Sequence, residues 1–305
     1  MEKTMQRLSI QQQAALGAGF AVLAALGFSA KAILVKLAYV EAVDALTLLT
    51  LRMAFSAPIF LAVALWSGRQ QHHSAMARKD WLAVLGLGLI GYYLSSLLDF
   101  TGLQYVSAGL ERLILFLYPT LVVLLSAALF KQHIGRRELA ALAASYAGIA
   151  LVYLHDAHAG EGQVALGATL IFASTLTYSL YLVGAGHCIA RIGAVRFTAY
   201  AMTVASGATL LQFTFTHPLA ALDLSPRIYG LGIGMAVLST VLPVFMLSAG
   251  IRLIGSGRTA MIGSLGPVAT IFLAHWILGE TLSLPQLAGS ALVLGGVLVI
   301  SLAKR

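Results

Sequence analysis

Apolar runs of about twenty residues recur from one end of the chain to the other, and nothing else in the sequence restricts the fold as strongly. A helix of that length crosses roughly 30 Å of hydrocarbon while satisfying its own backbone hydrogen bonds. Membrane β-strands would instead show short alternating segments. With 59% hydrophobic residues, 10% charged residues and a mean hydropathy of +0.90, the chain is too apolar for a soluble domain. The pattern predicts an all-α polytopic membrane protein with ten transmembrane helices, at residues 14–38, 44–66, 80–103, 107–130, 136–154, 163–186, 194–216, 227–250, 256–278 and 284–303. The polar start, MEKTMQRLSIQQQ, reads as a lead-in to a spanning helix and not as a cleavable signal.

Charge placement sets the expected topology. The formal net charge of +8 would suggest nucleic acid in a soluble domain, but surplus Lys and Arg also mark cytoplasmic loops, so no nucleic-acid partner is expected. With the N-terminus inside, the inner segments hold Lys3, Arg7, Arg69, Arg78, Lys79, Lys131, Arg136, Arg137, Arg191, Arg196, Arg252, Arg258, Lys304 and Arg305. The outer loops hold Glu41, Asp44, Asp156, Glu161, Asp223 and Glu280, with Arg227 as an exception and Lys36 near the end of the first helix. Both termini are then cytoplasmic.

The chain also matches itself at a shift of 148 residues. Tyr92 to Leu121 falls on residues 240–269, with Gly102 on Gly250, Gly109 on Gly257 and Pro119 on Pro267. Five helices repeated once must point in opposite directions, so basic residues should change places between the copies. They do: Lys131, Arg136 and Arg137 align with Gly279, Leu284 and Pro285, while Val43, Leu48, Gln104 and Leu110 align with Arg191, Arg196, Arg252 and Arg258. The expected units are residues 14–154 and 163–303, inverted relative to each other.

The Gly102 to Pro119 segment, its counterpart Gly250 to Pro267, and the turn Leu278, Gly279, Glu280 carry a resemblance. The chain resembles the EamA branch of the drug/metabolite transporter superfamily over nearly its whole length. Within it, LDFTGLQYVSAGLERLILFLYPT is similar to bacterial exporters of the aromatic amino-acid type. The resemblance implies movement of small metabolites by alternating access, through a cavity between two inverted repeats in the bacterial inner membrane.

Several polar residues lie inside the apolar runs. Tyr92, Ser95, Ser96 and Asp99 share one face of the third helix, and a carboxylate near the bilayer centre costs about 3 kcal/mol unless paired or hydrated. Lys31, Arg52 and Arg112 are its candidate partners. Together with Glu111 they form a cluster whose repeat counterparts Ser179, Tyr200, Leu247, Thr259 and Ala260 are uncharged. The cluster either closes the outer side by salt bridges and presents charge to a zwitterionic substrate, or is a static ion network that fixes helix register.

On the sixth helix Ser174, Thr177, Tyr178 and Tyr181 repeat the polar face, as substrate-facing aromatics or as an interfacial belt. The ninth helix offers Ser264 and His275, the latter a proton shuttle or a packing group. Expected substrate contacts are Lys31, Tyr92, Ser96, Asp99, Arg112, Tyr178, Tyr181 and Ser264. Arg52, Glu111, Pro119 and Pro267 are expected to gate or hinge, the two prolines as kinks inside the fourth and ninth helices.

Ala140, Ala144 and Gly148 form a small-residue stripe for tight helix packing or self-association into a homo-oligomer. No cofactor or metal is expected: the lone Cys188 excludes a cysteine cluster, His72 and His73 read as loop residues, and His155, Asp156 and His158 lack a fourth ligand. GLGIG, at Gly230 to Gly234, mimics a nucleotide loop but sits inside an apolar helix. No enzyme constellation and no ATP site appear, which leaves the substrate gradient or protons as driving force. The expected function is export of amino acids or similar small metabolites. A carrier of cationic drugs and a membrane enzyme acting on lipid are the alternatives; the lysines of the first helix weigh against the former.

Overall fold

The computed structural model describes residues 10–68, 76–131, 133–159 and 163–303. Lys3, Arg7, Arg69, His72, His73, Glu161, Lys304 and Arg305, used above, lie outside them. Ten helical segments follow one another: α1 (Ile10–Tyr39), α2 (Ala45–Gly68), α3 (Arg78–Gly102), α4 (Ala108–Phe130), α5 (Arg136–Ala159), α6 (Val164–Ile192), α7 (Ala194–Thr216), α8 (Pro226–Gly255), α9 (residues 256–278) and α10 (Leu284–Ala303). Eight of them, α1 to α6 with α8 and α9, are long and apolar enough to cross a membrane. In α7 the apolar residues are diluted by Arg196, Gln212 and several threonines, and α10 qualifies only as a shorter apolar helix over Leu284–Val299.

Local chemistry explains where the helices start and stop. The Asp44 carboxylate accepts from the amides of Leu46 (2.9 Å) and Thr47 (3.0 Å) and so caps α2. Ser107 caps α4 through the Leu110 amide, and Ser225 caps α8 ahead of Pro226. Between α6 and α7 the chain reverses at Gly193, and between α8 and α9 at Gly255, both at positive φ. His155 and Asp156, expected in a loop, belong to the last turns of α5.

Packing joins the first five helices to the second five in a reciprocal pattern. α1 lies against α8 and α9, α6 against α3 and α4, α2 against α7, and α5 against α10. Exchanging α1–α5 for α6–α10 leaves that list unchanged. The small-residue stripe of α5 is used inside the chain: a Cβ on Gly148 would lie 2.5 Å from the Gly289 carbonyl oxygen of α10.

Irregularities recur at the same shift of 148 residues. Wide π turns occupy Leu89–Leu94 in α3 and Val237–Val241 in α8. The second lies just ahead of Pro243, whose missing N–H breaks the regular ladder. α4 is interrupted at Phe116 and Leu117, and α9 at Ser264. This corrects the expectation for Pro119 and Pro267. They do not kink continuous helices; each lies in the first turn of a new segment. The carbonyl four residues back belongs to the last residue of the segment before, Leu115 or Gly263. An absent N–H is tolerated there, because the first turn has no intrahelical acceptor for it.

The helix ends sort by charge. One end carries Glu41, Asp44, Asp156, Asp223 and Glu280 with Lys36, and is called the acidic end below; the other carries Arg78, Lys79, Lys131, Arg136, Arg137, Arg191, Arg252 and Arg258 with the acids Asp80 and Glu138. Arg227, also at the acidic end, faces Glu41 at 3.5 Å.

Candidate functional site

Three helices bring the central charges together. Lys31 projects from the middle of α1 to the last turns of α3 and the first turns of α4, where its Nζ donates to Asp99 Oδ2 and, at 2.6 Å, to Glu111 Oε1. Asp99 is 4% exposed and Glu111 fully buried, so a single ammonium answers two carboxylates removed from water. Of the three cations offered as partners for Asp99, the hydrogen-bonded one is Lys31.

Arg52 is held differently. Its Nε donates to Thr240 Oγ1 of α8 at 2.9 Å, and its guanidinium stands 5.4 Å from the centre of the Phe100 ring. It therefore ties α2 to the wide turn of α8, and it reaches Asp99 and Tyr92 only through their charge and dipole. Arg112, on the first half of α4, lies against Gly266 of α9, where an added Cβ would meet its guanidinium at 2.7 Å. Glu111, Asp99, Tyr118 and Tyr178 surround it electrostatically.

An aromatic wall continues from Arg112. Tyr178 meets Tyr118 edge-on at 5.9 Å and stacks on Tyr181 at 5.6 Å; Tyr181 packs 4.9 Å from Tyr92 and donates its hydroxyl to the Tyr92 oxygen at 3.0 Å. Tyr92, Tyr178 and Tyr181 are thus brought together. Phe116 and Tyr118, at the break of α4, extend the wall and were missed; the adjoining Pro119 was the available signal.

Other predicted residues stand aside. Ser95 and Ser174 bond each other at 3.1 Å, the latter also donating to the Ser95 carbonyl at 2.7 Å, which makes them a packing pair. Ser96 is half-buried next to them. Ser264 donates to the Met261 carbonyl at 2.6 Å, so its hydroxyl serves the break in α9. His275 engages the Glu280 carbonyl oxygen at 2.8 Å at the acidic end, away from the buried cluster.

Among the described residues three buried polar atoms of the cluster have no hydrogen-bond partner: Asp99 Oδ1, Glu111 Oε2 and Arg112 Nε. Two acceptors and one donor are therefore unspent within one group of side chains. Two cavities lie away from the cluster. One of about 360 Å³ opens between α4, α5 and α6, lined by Ile114, Leu117, Tyr146, Tyr153 and Phe172 among others. The other is a small space between α2, α7 and α8. The carboxylates of the charge cluster are buried. Among the described residues no group of His, Cys, Asp and Glu could hold a metal ion.

Membrane-length helices enclosing paired charges define a multi-pass membrane protein. The model of the EamA-like transporter family matches residues 15–154 and again residues 165–302, and the chain belongs to that family. It is 34% identical over 286 residues to the uncharacterized transporter YcbK of Bacillus subtilis, covering 91% of this chain and 90% of that one. The uncharacterized inner membrane transporter YicL of Salmonella typhimurium is 24% identical, with 84% of each chain covered. A solved crystal structure superposes with a TM-score of 0.65 over 95% of this chain and 97% of its own, at 20% identity, and so shares the fold. Membership makes the chain a membrane transporter.

Proposed function

We propose that this chain is a ten-span secondary transporter of the bacterial inner membrane that exports amino acids or similar small zwitterions by alternating access. The observation that carries the substrate class is the unspent trio. Asp99 Oδ1 and Glu111 Oε2 can accept from a substrate ammonium while Arg112 Nε donates to its carboxylate, next to a wall of tyrosines suited to the rest of the molecule. An apolar solute would leave those atoms unpaired, and a simple cation would leave Arg112 facing it.

Reciprocal helix packing, wide turns and breaks at matching positions, and two successive family matches support two inverted five-helix units at 14–154 and 163–303. α1 also packs across the middle onto α4 and pairs with α3 and α4, whereas the main packing of α6 stays with helices α3, α4 and α7. This difference supports a conformer closed at the acidic end, the side expected to face outward.

Lys31, Asp99, Glu111, Arg112, Tyr92, Tyr178 and Tyr181 would then contact substrate, with Arg52 bracing α2 on α8. Asp99 and Glu111 are also the carboxylates for a coupled proton. The test is counterflow into proteoliposomes preloaded with unlabelled solute, screening labelled amino acids against nucleosides, sugars and quaternary ammonium cations. Amino-acid counterflow that falls in Arg112→Gln is expected; exchange of quaternary cations alone would overturn the reading.

A further inference from the structure

We propose that Glu280 is the latch that keeps the acidic end closed and, through the start of α4, positions the buried charge cluster. Glu280 follows Gly279, whose positive φ of 72° ends α9 and turns the chain inward; the Glu280 amide donates to the Ala274 carbonyl at 3.2 Å. The carboxylate then crosses to the other half of the chain. Its Oε1 accepts from the Ala108 amide at 2.9 Å and its Oε2 from the Gly109 amide at 3.4 Å, both free donors in the first turn of α4.

The site-bearing residues lie within one further turn. Glu111 and Arg112 are third and fourth after Ala108 on the segment Ala108–Leu115, so what holds its first turn also orients them. Two neighbours tie latch to cluster. Lys36 of α1 interacts electrostatically with Glu280, Glu111 and Asp156, and Asp156 of α5 accepts at 2.7 Å from the hydroxyl of Ser107, the α4 cap. Glu280 from the end of α9 and Asp156 from α5 thus both hold the start of α4, and Glu280 does so across the two halves of the chain. When the acidic end opens, α9 must part from α4 and these two amide bonds must break. Their loss in a variant shifts the population toward the outward-open state.

The inference rests on alternating access, and its test separates the two. In full-length protein carrying Cys188→Ser, a single cysteine replaces Leu110, which is fully buried behind the latch; in a second variant it replaces Val84, buried near the basic end. Both are labelled with a membrane-impermeant maleimide, applied from each side of the membrane. With Glu280→Ala, labelling at position 110 is expected to speed up by about tenfold, with a smaller gain for Glu280→Gln, which keeps an acceptor but not the charge. Labelling at position 84 should stay level or slow.

Acceleration at both positions means general loosening and overturns the latch. So do parent rates at position 110 in both Glu280 variants, or failure of both variants to yield folded protein. Counterflow in the parent, measured in the same vesicles, reports whether alternating access itself holds.

Discussion

Two sets of positions matched at a shift of 148 residues sit on corresponding helices and carry opposite chemistry. Near the acidic end, Lys31 of α1 binds Asp99 of α3 and Glu111 of α4. The equivalent positions, reached by adding 148, hold Ser179 of α6, Leu247 of α8 and Thr259 of α9. There no ion pair forms: Ser179 donates to the Thr175 carbonyl of its own helix (2.7 Å) and across to the Tyr118 carbonyl of α4 (3.3 Å), and Thr259 donates to that of Gly255 (2.8 Å). Arg52 has Tyr200 as counterpart, which packs with Trp81 and lies under the Arg196 guanidinium. Among these matched positions the charged residues all lie in the first half of the chain. Charged side chains bridge three helices at the first set, whereas at the second a single neutral hydroxyl contact, Ser179 to the Tyr118 carbonyl, joins α6 to α4.

Removing the shared ammonium breaks the comparison most severely. Lys31→Ala strands two buried carboxylates and should cost about 3–5 kcal/mol with complete loss of transport. The matching change Ser179→Ala should cost about 0.5–1.5 kcal/mol. Thermal melts in detergent compare the two, and equal losses would mean that the ion group is not what distinguishes the ends.

Next comes the scaffold that both ends share. Gly148→Leu forces a side chain into the Gly289 carbonyl and should cost about 1–3 kcal/mol, seen as a lower melting midpoint with the KM of the surviving protein unchanged. Arg112→Gln sharpens the contrast within the charged end itself. Among the described residues its Nε has no hydrogen-bond partner, so KM for a zwitterion should rise about tenfold while the melting midpoint barely moves.

The smallest effect belongs to Asp44, in the loop at the acidic end. Burial pushes its carboxyl up, but the nearby Thr47 hydroxyl, hydrogen bonds from the Thr47 and Leu46 amides, and His217 together hold it below the ordinary carboxylate value. Its contribution is therefore full above the unfolded value of about 4 and fades as pH falls through the lower folded value. A melt series from about pH 6 to pH 3 should show a slightly shallower acid loss for Asp44→Asn than for the parent.

Much of this was readable in the chain itself. The apolar runs locate the helices, and the exchange of Arg196, Arg252 and Arg258 against uncharged residues points to inversion from sequence alone. Asp99, Lys31, Glu111 and Arg112 stand out because an apolar helix tolerates such groups only for a reason. Which cation answers Asp99 was not readable, since three candidates lie at similar depth and only the approach of α1 to α3 and α4 selects Lys31. Pro119 and Pro267 were visible, but a pattern of apolar residues does not reveal whether a proline bends a helix or begins one. Glu280 stayed hidden as a partner of α4 because its carboxylate reaches amides 172 and 171 positions away, a contact that tertiary folding alone creates.

The wide turn at Leu89–Leu94 holds one residue more than a regular turn of helix requires. If that surplus were passed along α3, everything beyond it would advance by about 1.5 Å and swivel by about 100°. Asp99 would be swung off the ammonium it grips, and the same movement in α8, through Val237–Val241, would carry Thr240 away from Arg52. Two rods with matching slack can thus change which faces they show each other without any hinge.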